Sequence, residues 1–272
     1  MSDPNRDTKG PDRPSVDFRP RMTRTRWQEV ASLSYDGIRP IVDRWTAPSK
    51  WSVEGGSGLG RYVYHLARRG LYSVGIEISR DIIRDAKSLF KDCDFICADV
   101  ESLPIRSGCL AAFLSLGVID HLSNPQKAVI EISRVLCPEG VLIITVPNQF
   151  SFWVTIRSHF QRKGGWDIGY ERSFTSLELR NIIESSGLQM YSIRQILVLS
   201  SILRVLIFLG EKYTHRSGKL STPVSVKPFP VLASQRLRKF VSWVSRIADS
   251  VPFVKQTGFL LLAVCRKEMV HD

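Results

Sequence analysis

Between residues 51 and 147 short apolar runs alternate with stretches whose apolar residues recur every three or four positions. Trp51 to Val53 predicts a short strand running into a glycine-rich turn, and Arg61 to Arg69 a helix ended by Gly70. Tyr72 to Ile78 predicts a second strand. Arg80 to Lys91 predicts an amphipathic helix with Ile82, Ile83, Ala86 and Leu89 on one side. Asp94 to Cys97 and Leu110 to Leu116 follow as strands, then a helix from Pro125 to Leu136 with Ala128, Ile132 and Val135 inward. Val141 to Val146 is unbroken and apolar, as a strand buried on both faces requires. A helix over Ser176 to Ser186, with Thr175 or Ser176 as its N-cap and Gly187 past its end, precedes a last apolar strand from Thr257 to Cys265. Strands alternating with helices predict an α/β domain: a doubly wound, parallel or mostly parallel sheet covered on both faces.

Residues 196–256 break this rhythm. Ile196 to Leu209 is strongly apolar, but it is too short, and Arg204 sits too centrally, for a membrane span. Residues 213–230 hold Gly218, Pro223, Pro228 and Pro230 and read as a loop. Ser234 to Ala248 reads as a basic amphipathic helix with Leu237, Phe240, Val241, Val244 and Ile247 on one face. The whole stretch is read as a helical insertion before the last strand of a domain spanning 21–272. Residues 1–20, polar and rich in Pro, Asp and Arg, read as a disordered lead-in.

With 43% hydrophobic residues in 272, the chain has enough core formers for one large domain. The net charge of +12 is unevenly placed: Ser201 to Gln256 holds ten Lys or Arg against two Asp or Glu. Such a patch suits an anionic partner, namely a membrane surface, a nucleic acid or a phosphorylated substrate. Beside the apolar run 196–209 it fits a membrane interface. A helix that packs its apolar stripe on the core and solvates its charges fits as well. No aromatic stacking platform on a basic sheet accompanies the charge, which disfavours a nucleic-acid substrate. The five cysteines form no C-x-x-C pair, so buried reduced thiols are expected rather than disulfides or zinc. Without an apolar N-terminal segment, a cytoplasmic protein is expected, with peripheral membrane association through 196–256 as one reading.

The candidate chemistry starts at Glu54-Gly55-Gly56-Ser57-Gly58-Leu59-Gly60, between a strand and a helix. Glycines there let a ligand approach the backbone, and the helix N-terminus offers free N–H groups. The dinucleotide fingerprint fails because Arg61 stands where its last glycine belongs. A phosphate-binding P-loop fails because Arg61 and Tyr62 stand where it needs Lys and Ser or Thr. Glu54 would repel a pyrophosphate and suits a cation.

This segment resembles motif I of the class I S-adenosylmethionine (SAM)-dependent methyltransferases, E/D-x-G-x-G-x-G. Val74-Gly75-Ile76-Glu77-Ile78-Ser79 resembles the end of that family's second strand, and Ala98-Asp99-Val100-Glu101-Ser102-Leu103-Pro104 its G-D-A-E-x-L-P segment. Leu116-Gly117-Val118-Ile119-Asp120-His121-Leu122 resembles V-L-E-H-L after strand four, and Glu131 to Gly140 resembles E-x-x-R-V-L-K-P-G-G before strand five. The similarity covers roughly 50 to 190 and the last strand, and is densest with the quinone-biosynthesis methyltransferases. It implies a seven-stranded, Rossmann-like sheet and SAM as cofactor. It also implies a cofactor site of Glu54, Gly56, Gly58, Gly60, Glu77, Ile78, Asp99, Val100 and Leu116. Glu77 would hold both ribose hydroxyls, Ile78 would lie on the adenine face, Asp99 would accept from the adenine amino group and the Val100 N–H would meet the ring.

His121 and Asp120 are the candidate catalytic pair, with His121 as general base; a structural role at the end of the strand-four loop is the favoured account of His121. Some quinone O-methylases carry an E-x-x-E-H metal site, but Gly117 stands at its first acid, so no metal is indicated. Glu139 replaces the first glycine of the P-G-G turn, which implies backbone strain. Tyr35, Tyr170 and His215 could line an acceptor pocket, though nothing local marks them. The expected activity is methyl transfer to a small or lipid-like acceptor. Its rivals are an RNA or protein methyltransferase and a SAM-binding protein without turnover.

Overall fold

The computed structural model describes residues 37–47, 50–151, 154, 172–196 and 258–268. The lead-in 1–20, the apolar run after Ile196, the basic helix 234–248, and Tyr35, Tyr170 and His215 lie outside the described residues. The seven strands are β1 (Ser52–Gly55), β2 (Ser73–Glu77), β3 (Asp94–Cys97), β4 (Leu110–Leu116), β5 (Leu136–Pro147), β6 (Leu188–Ile196) and β7 (Leu260–Lys267). The helices are α1 (Arg39–Trp45), α2 (Arg61–Arg68), α3 (Arg80–Leu89), α4 (Pro125–Val135) and α5 (Ser176–Glu184). Strand order is β3-β2-β1-β4-β5-β7-β6. Strands β1 to β5 pair in parallel, and β7 runs antiparallel to both β5 and β6.

The unbroken apolar run of β5 reflects burial on two sides. Val141 and Ile143 enter a cluster with Ile38 just before α1, Val42 of α1, and Tyr62 and Leu66 of α2. Leu142, Ile144 and Val146 enter another with Ala128, Ile132, Leu179 and Ile183, from α4 and α5. β7 divides the same way, with Leu260, Leu262 and Val264 against Leu261, Ala263 and Cys265. Period-two alternation sends successive side chains to opposite faces, so both sets must be apolar. Each fully buried Leu or Ile contributes roughly 1.5–3 kcal/mol.

Two elements are absent from the periodicity reading: α1 and β6. A third differs in extent, since β5 starts at Leu136 rather than Val141. Leu110 pairs with Leu136 but Ala112 pairs with Val141, so Cys137 to Gly140 bulge out between these pairs. In that bulge Glu139 takes φ +64°, the left-handed conformation that a glycine would adopt without strain. Its carboxylate meets Arg266 at 3.2 Å in a half-exposed pair, which is worth little. Glu139→Gly should therefore raise stability by about 0.5 kcal/mol, and Glu139→Val should lower it by about 1 kcal/mol or more. Urea-unfolding midpoints check both signs.

The cysteine expectation needs correction. All five are free, but only Cys93 and Cys265 are buried; Cys97 is exposed and Cys109 and Cys137 are half-buried. Cys97 sits on the edge strand β3 and Cys137 in the β5 bulge, and neither place is covered. Burial pushes the Cys265 thiol up to about 12.

Candidate functional site

The parallel register brings the C-terminal ends of the first four strands to one edge. Gly55 aligns with Ile76 on β2 and Ser115 on β4, and Glu77 aligns with Cys97 on β3. The glycine turn is pinned there by Ser57 N–H donating to Ile76 O at 2.9 Å. Gly60 caps α2 with φ +77°, and a Cβ on it would lie 2.3 Å from the Phe95 ring. Gly58, at φ +52°, faces open space: no described atom lies within 4 Å of where its Cβ would be. A side-chain-free bend that borders open space is what a ligand approaching the backbone needs. Val100 lies against Gly55, and Val118 against Gly56.

Glu77, at the end of β2, bridges this turn to the next. Its Oε2 accepts Gly58 N–H at 3.0 Å and its Oε1 accepts Ser79 N–H at 3.1 Å. Each oxygen keeps a further lone pair, so the carboxylate can still accept two hydroxyl donors. Ile78 next to it is 51% exposed, an apolar surface of the kind a flat ring covers. Ala98 N–H donates to Glu77 O at 3.2 Å, which carries the chain past β3 to Asp99. There Asp99 Oδ1 accepts Glu101 N–H at 2.9 Å and fixes the carboxylate at the start of the following turn.

Glu54 plays a different part. It is only 5% exposed. Its Oε2 accepts Val63 N–H at 3.1 Å, and the Tyr62 N–H is a second donor to the carboxyl. These are N–H groups of the first turn of α2, so Glu54 caps the helix from inside the turn. Burial pushes its carboxyl up to about 8, against the pull of those two donors; the nearby Glu77 adds a smaller upward push. Leu116 ends β4, but its side chain lies in the core cluster with Ile38 and Tyr62. Val100 lies in the opposite cluster.

Asp120 and His121 fall on a 3₁₀ turn, Ile119–His121, directly after β4. Asp120 is buried, its Oδ2 lies 3.5 Å from Nε2 of the half-exposed His121, and its carbonyl accepts Arg172 N–H at 2.8 Å. Beyond β5, Asn148 is buried and donates through Nδ2 to Gly258 O at 2.8 Å. Among the described residues no group of three His, Cys, Asp or Glu side chains could hold a metal ion.

Residues 53–144 match a family described as a methyltransferase domain. That stretch is a class I SAM-dependent methyltransferase domain. Its cofactor is SAM, and the turn at Gly58, the doubly engaged Glu77 and the half-exposed Ile78 fit an adenosyl group carrying a sulfonium. The methyltransferase domain is 30% identical over 123 residues to "Probable tRNA methyltransferase 9B" of Bos taurus, covering 44% of this chain and 26% of that protein. It is 26% identical over 147 residues to "Demethylmenaquinone methyltransferase" of Renibacterium salmoninarum, covering 48% and 61%. The chain thus spans about a quarter of the first of these relatives and under two thirds of the second. A SAM-dependent methyltransferase of Thermotoga maritima, described as a possible histamine N-methyltransferase, shares the fold with TM-score 0.55 and 18% identity. That likeness covers 89% of this chain and 90% of that one.

Several residues that shape this methyltransferase site are not among the site residues expected from the sequence. Ser79 takes part through its N–H, while Phe95 and Val118 wall the glycine turn. Gly117 has φ +68° with no described atom within 4 Å of its Cβ position. A glycine directly after an apolar strand was a usable signal for Gly117; the packing of Phe95 and Val118 has no local signal.

Proposed function

We propose that this methyltransferase moves the methyl group of SAM to a small-molecule or lipid-like acceptor bound beside the C-terminal ends of β4 and β5. The observation that carries the reading is Glu77 joining the glycine turn to β2 through Gly58 and Ser79 N–H groups, with lone pairs left for a ribose. SAM supplies an electrophilic methyl on a positively charged sulfur. The protein's part is to hold cofactor and acceptor close and in line. Glu54, Gly56, Gly58, Gly60 and Glu77 serve the glycine turn and ribose; Ile78, Asp99 and Val100 serve the adenine; Leu116 closes the end of β4. An attacking hydroxyl, amine or carbon acid gives up its proton as the new bond to carbon forms and the carbon–sulfur bond breaks.

His121 is the base within this arrangement, with Asp120 orienting its ring from the buried side. For an acceptor that must lose a proton, His121→Gln should lower kcat about 100-fold with the KM for SAM unchanged. Steady-state kinetics in both substrates checks this, and a shift in the KM for SAM alone would contradict it.

The stretch 196–256 is the proposed acceptor-choosing element, because function on such scaffolds is set by segments added to a fixed core. Its flanks support this: Ile196 pairs with Leu260, which pairs with Pro147, so the sheet is left and rejoined at the site's edge. Its local basic excess and apolar run favour a lipid-like acceptor and a peripheral membrane association in the cytoplasm. The demethylmenaquinone methyltransferase relative is in keeping with that class. Similarity to tRNA methyltransferase 9B, with the net charge of +12, favours RNA as a second reading. Methyl-labelled SAM incubated with cell extract decides: label in the lipid or small-molecule fraction supports the first reading. Label in RNA, with binding that falls steeply with salt, supports the second. SAM binding without any transfer leaves a non-catalytic protein.

A further inference from the structure

The polar side of α4 makes a ladder of contacts with the segment that follows β3. Lys127, Glu131 and Arg134 recur at helical spacing and share one face. Lys127 Nζ lies 3.5 Å from Glu101 Oε2. Glu131 Oε2 accepts Leu103 N–H at 2.9 Å. Arg134 donates to Leu103 O at 3.1 Å, to Ile105 O at 2.9 Å and to Ser107 Oγ at 3.1 Å. It also forks onto both oxygens of Glu131, at 2.9 Å each. That fork holds the Glu131 carboxyl below its usual range. Below Arg134 the backbone continues the attachment, with Gly108 N–H on Arg134 O at 3.0 Å and Cys109 N–H on Val135 O at 2.9 Å.

Residues 101–109 are thus tied to one helix by side chain and main chain, over nearly the helix's full length. A loop fixed by five side-chain contacts to a single rigid element is more than a chain reversal requires. Its beginning is Asp99 and Val100, whose carboxylate and N–H face the adenine in the reading above. Val100 and Leu103 anchor the same stretch from its apolar side, in the cluster that holds Val129 and Ile132 of α4. Both sides of the segment therefore take their position from α4.

We propose that Lys127, Glu131 and Arg134 are positioning residues that set the adenine wall of the cofactor site and so determine which nucleobase it accepts. The inference rests on the cofactor reading above. Arg134 is the centre of the ladder because its planar fork meets two carbonyls, one hydroxyl and one carboxylate at once, which a lysine cannot reproduce. Loosening the segment lets the Asp99 carboxylate and the Val100 N–H drift from the base edge. Discrimination between an amino and a carbonyl group on the purine falls before binding of the rest of the ligand does.

Calorimetry with S-adenosylhomocysteine and its hypoxanthine counterpart S-inosylhomocysteine tests this on the full chain. The wild-type protein should prefer the adenine compound. Arg134→Ala should weaken it at least about tenfold and bring the ratio of the two affinities close to one, with Arg134→Lys only partly restoring the ratio. Glu131→Gln, which keeps an acceptor for Leu103 N–H while losing the charge under Arg134, serves where Arg134→Ala does not fold, and should shift the ratio the same way. An unchanged affinity ratio, or loss of both ligands by the same factor, would overturn the positioning role. Failure of the wild-type protein to bind the adenine compound would instead overturn the cofactor reading, and this inference with it.

Discussion

Glu77→Ala should weaken SAM binding by on the order of 100-fold or more. The substitution removes the carboxylate that accepts Gly58 N–H at 3.0 Å and Ser79 N–H at 3.1 Å, and with it the acceptors proposed for two ribose hydroxyls. Hydrogen bonds to a charged group contribute about 1.5–3 kcal/mol each, and about 1.4 kcal/mol is tenfold in affinity, so two lost ribose contacts account for the effect. The two protein bonds add to it, because an untied glycine turn must be reordered by the ligand. Glu77→Gln should fall between: one carbonyl acceptor stays, while the amide NH2 of the other arm confronts a backbone N–H. Titration calorimetry measures all three proteins. A dissociation constant for Glu77→Ala within threefold of wild type would remove Glu77 from the site.

Glu54 should make the protein less stable as pH rises from about 4.5 to about 8. In the folded chain burial pushes this carboxyl from 4.5 up to about 8. Across that window the folded protein keeps a proton that the unfolded chain has released. The contribution is complete below the unfolded value and is lost as pH climbs through the folded one, with a slope near 1.4 kcal/mol per pH unit. Glu54→Gln keeps an oxygen for Val63 N–H and removes the titration, so its stability should be flatter over the same range. Urea unfolding of both proteins at several pH values between 5 and 8 compares the slopes, and parallel curves would count against the shift. The same group links pH to cofactor. A cationic ligand favours the carboxylate, so wild-type affinity for SAM should rise toward pH 8 with proton release, and Glu54→Gln should lose that dependence.

Most of the sheet was legible because its strands are buried on both faces and read as apolar blocks. What escaped has definite causes. α1 has only seven residues, with Pro40 in its first turn, too few for a periodic pattern. β6 begins with Leu188 and Met190 inward and Gln189 outward, but its register shifts between Met190 and Ser192. That shift spoils the alternation and leaves Tyr191 60% exposed. The strain at Glu139 was visible because a missing glycine in a turn is local information. The acids of the site were visible as residues, but not in their full roles: Glu54 looked like a charge facing a cation, and its burial beneath a helix terminus belongs to the tertiary structure. The ladder on α4 was likewise hidden, since its partners lie about thirty residues away in sequence.

β7 enters the sheet between two strands made earlier in the chain, and its side chains complete the packing on both faces. During synthesis, therefore, β5 and β6 are both present before anything can join them. A nascent chain halted between residues 196 and 260 carries two open strand edges and an unfilled slot between them, a shape suited to capturing the equivalent strand of another molecule. Late truncations should thus be as damaging as early ones, and a chaperone that shields sheet edges would matter most in the last moments of translation.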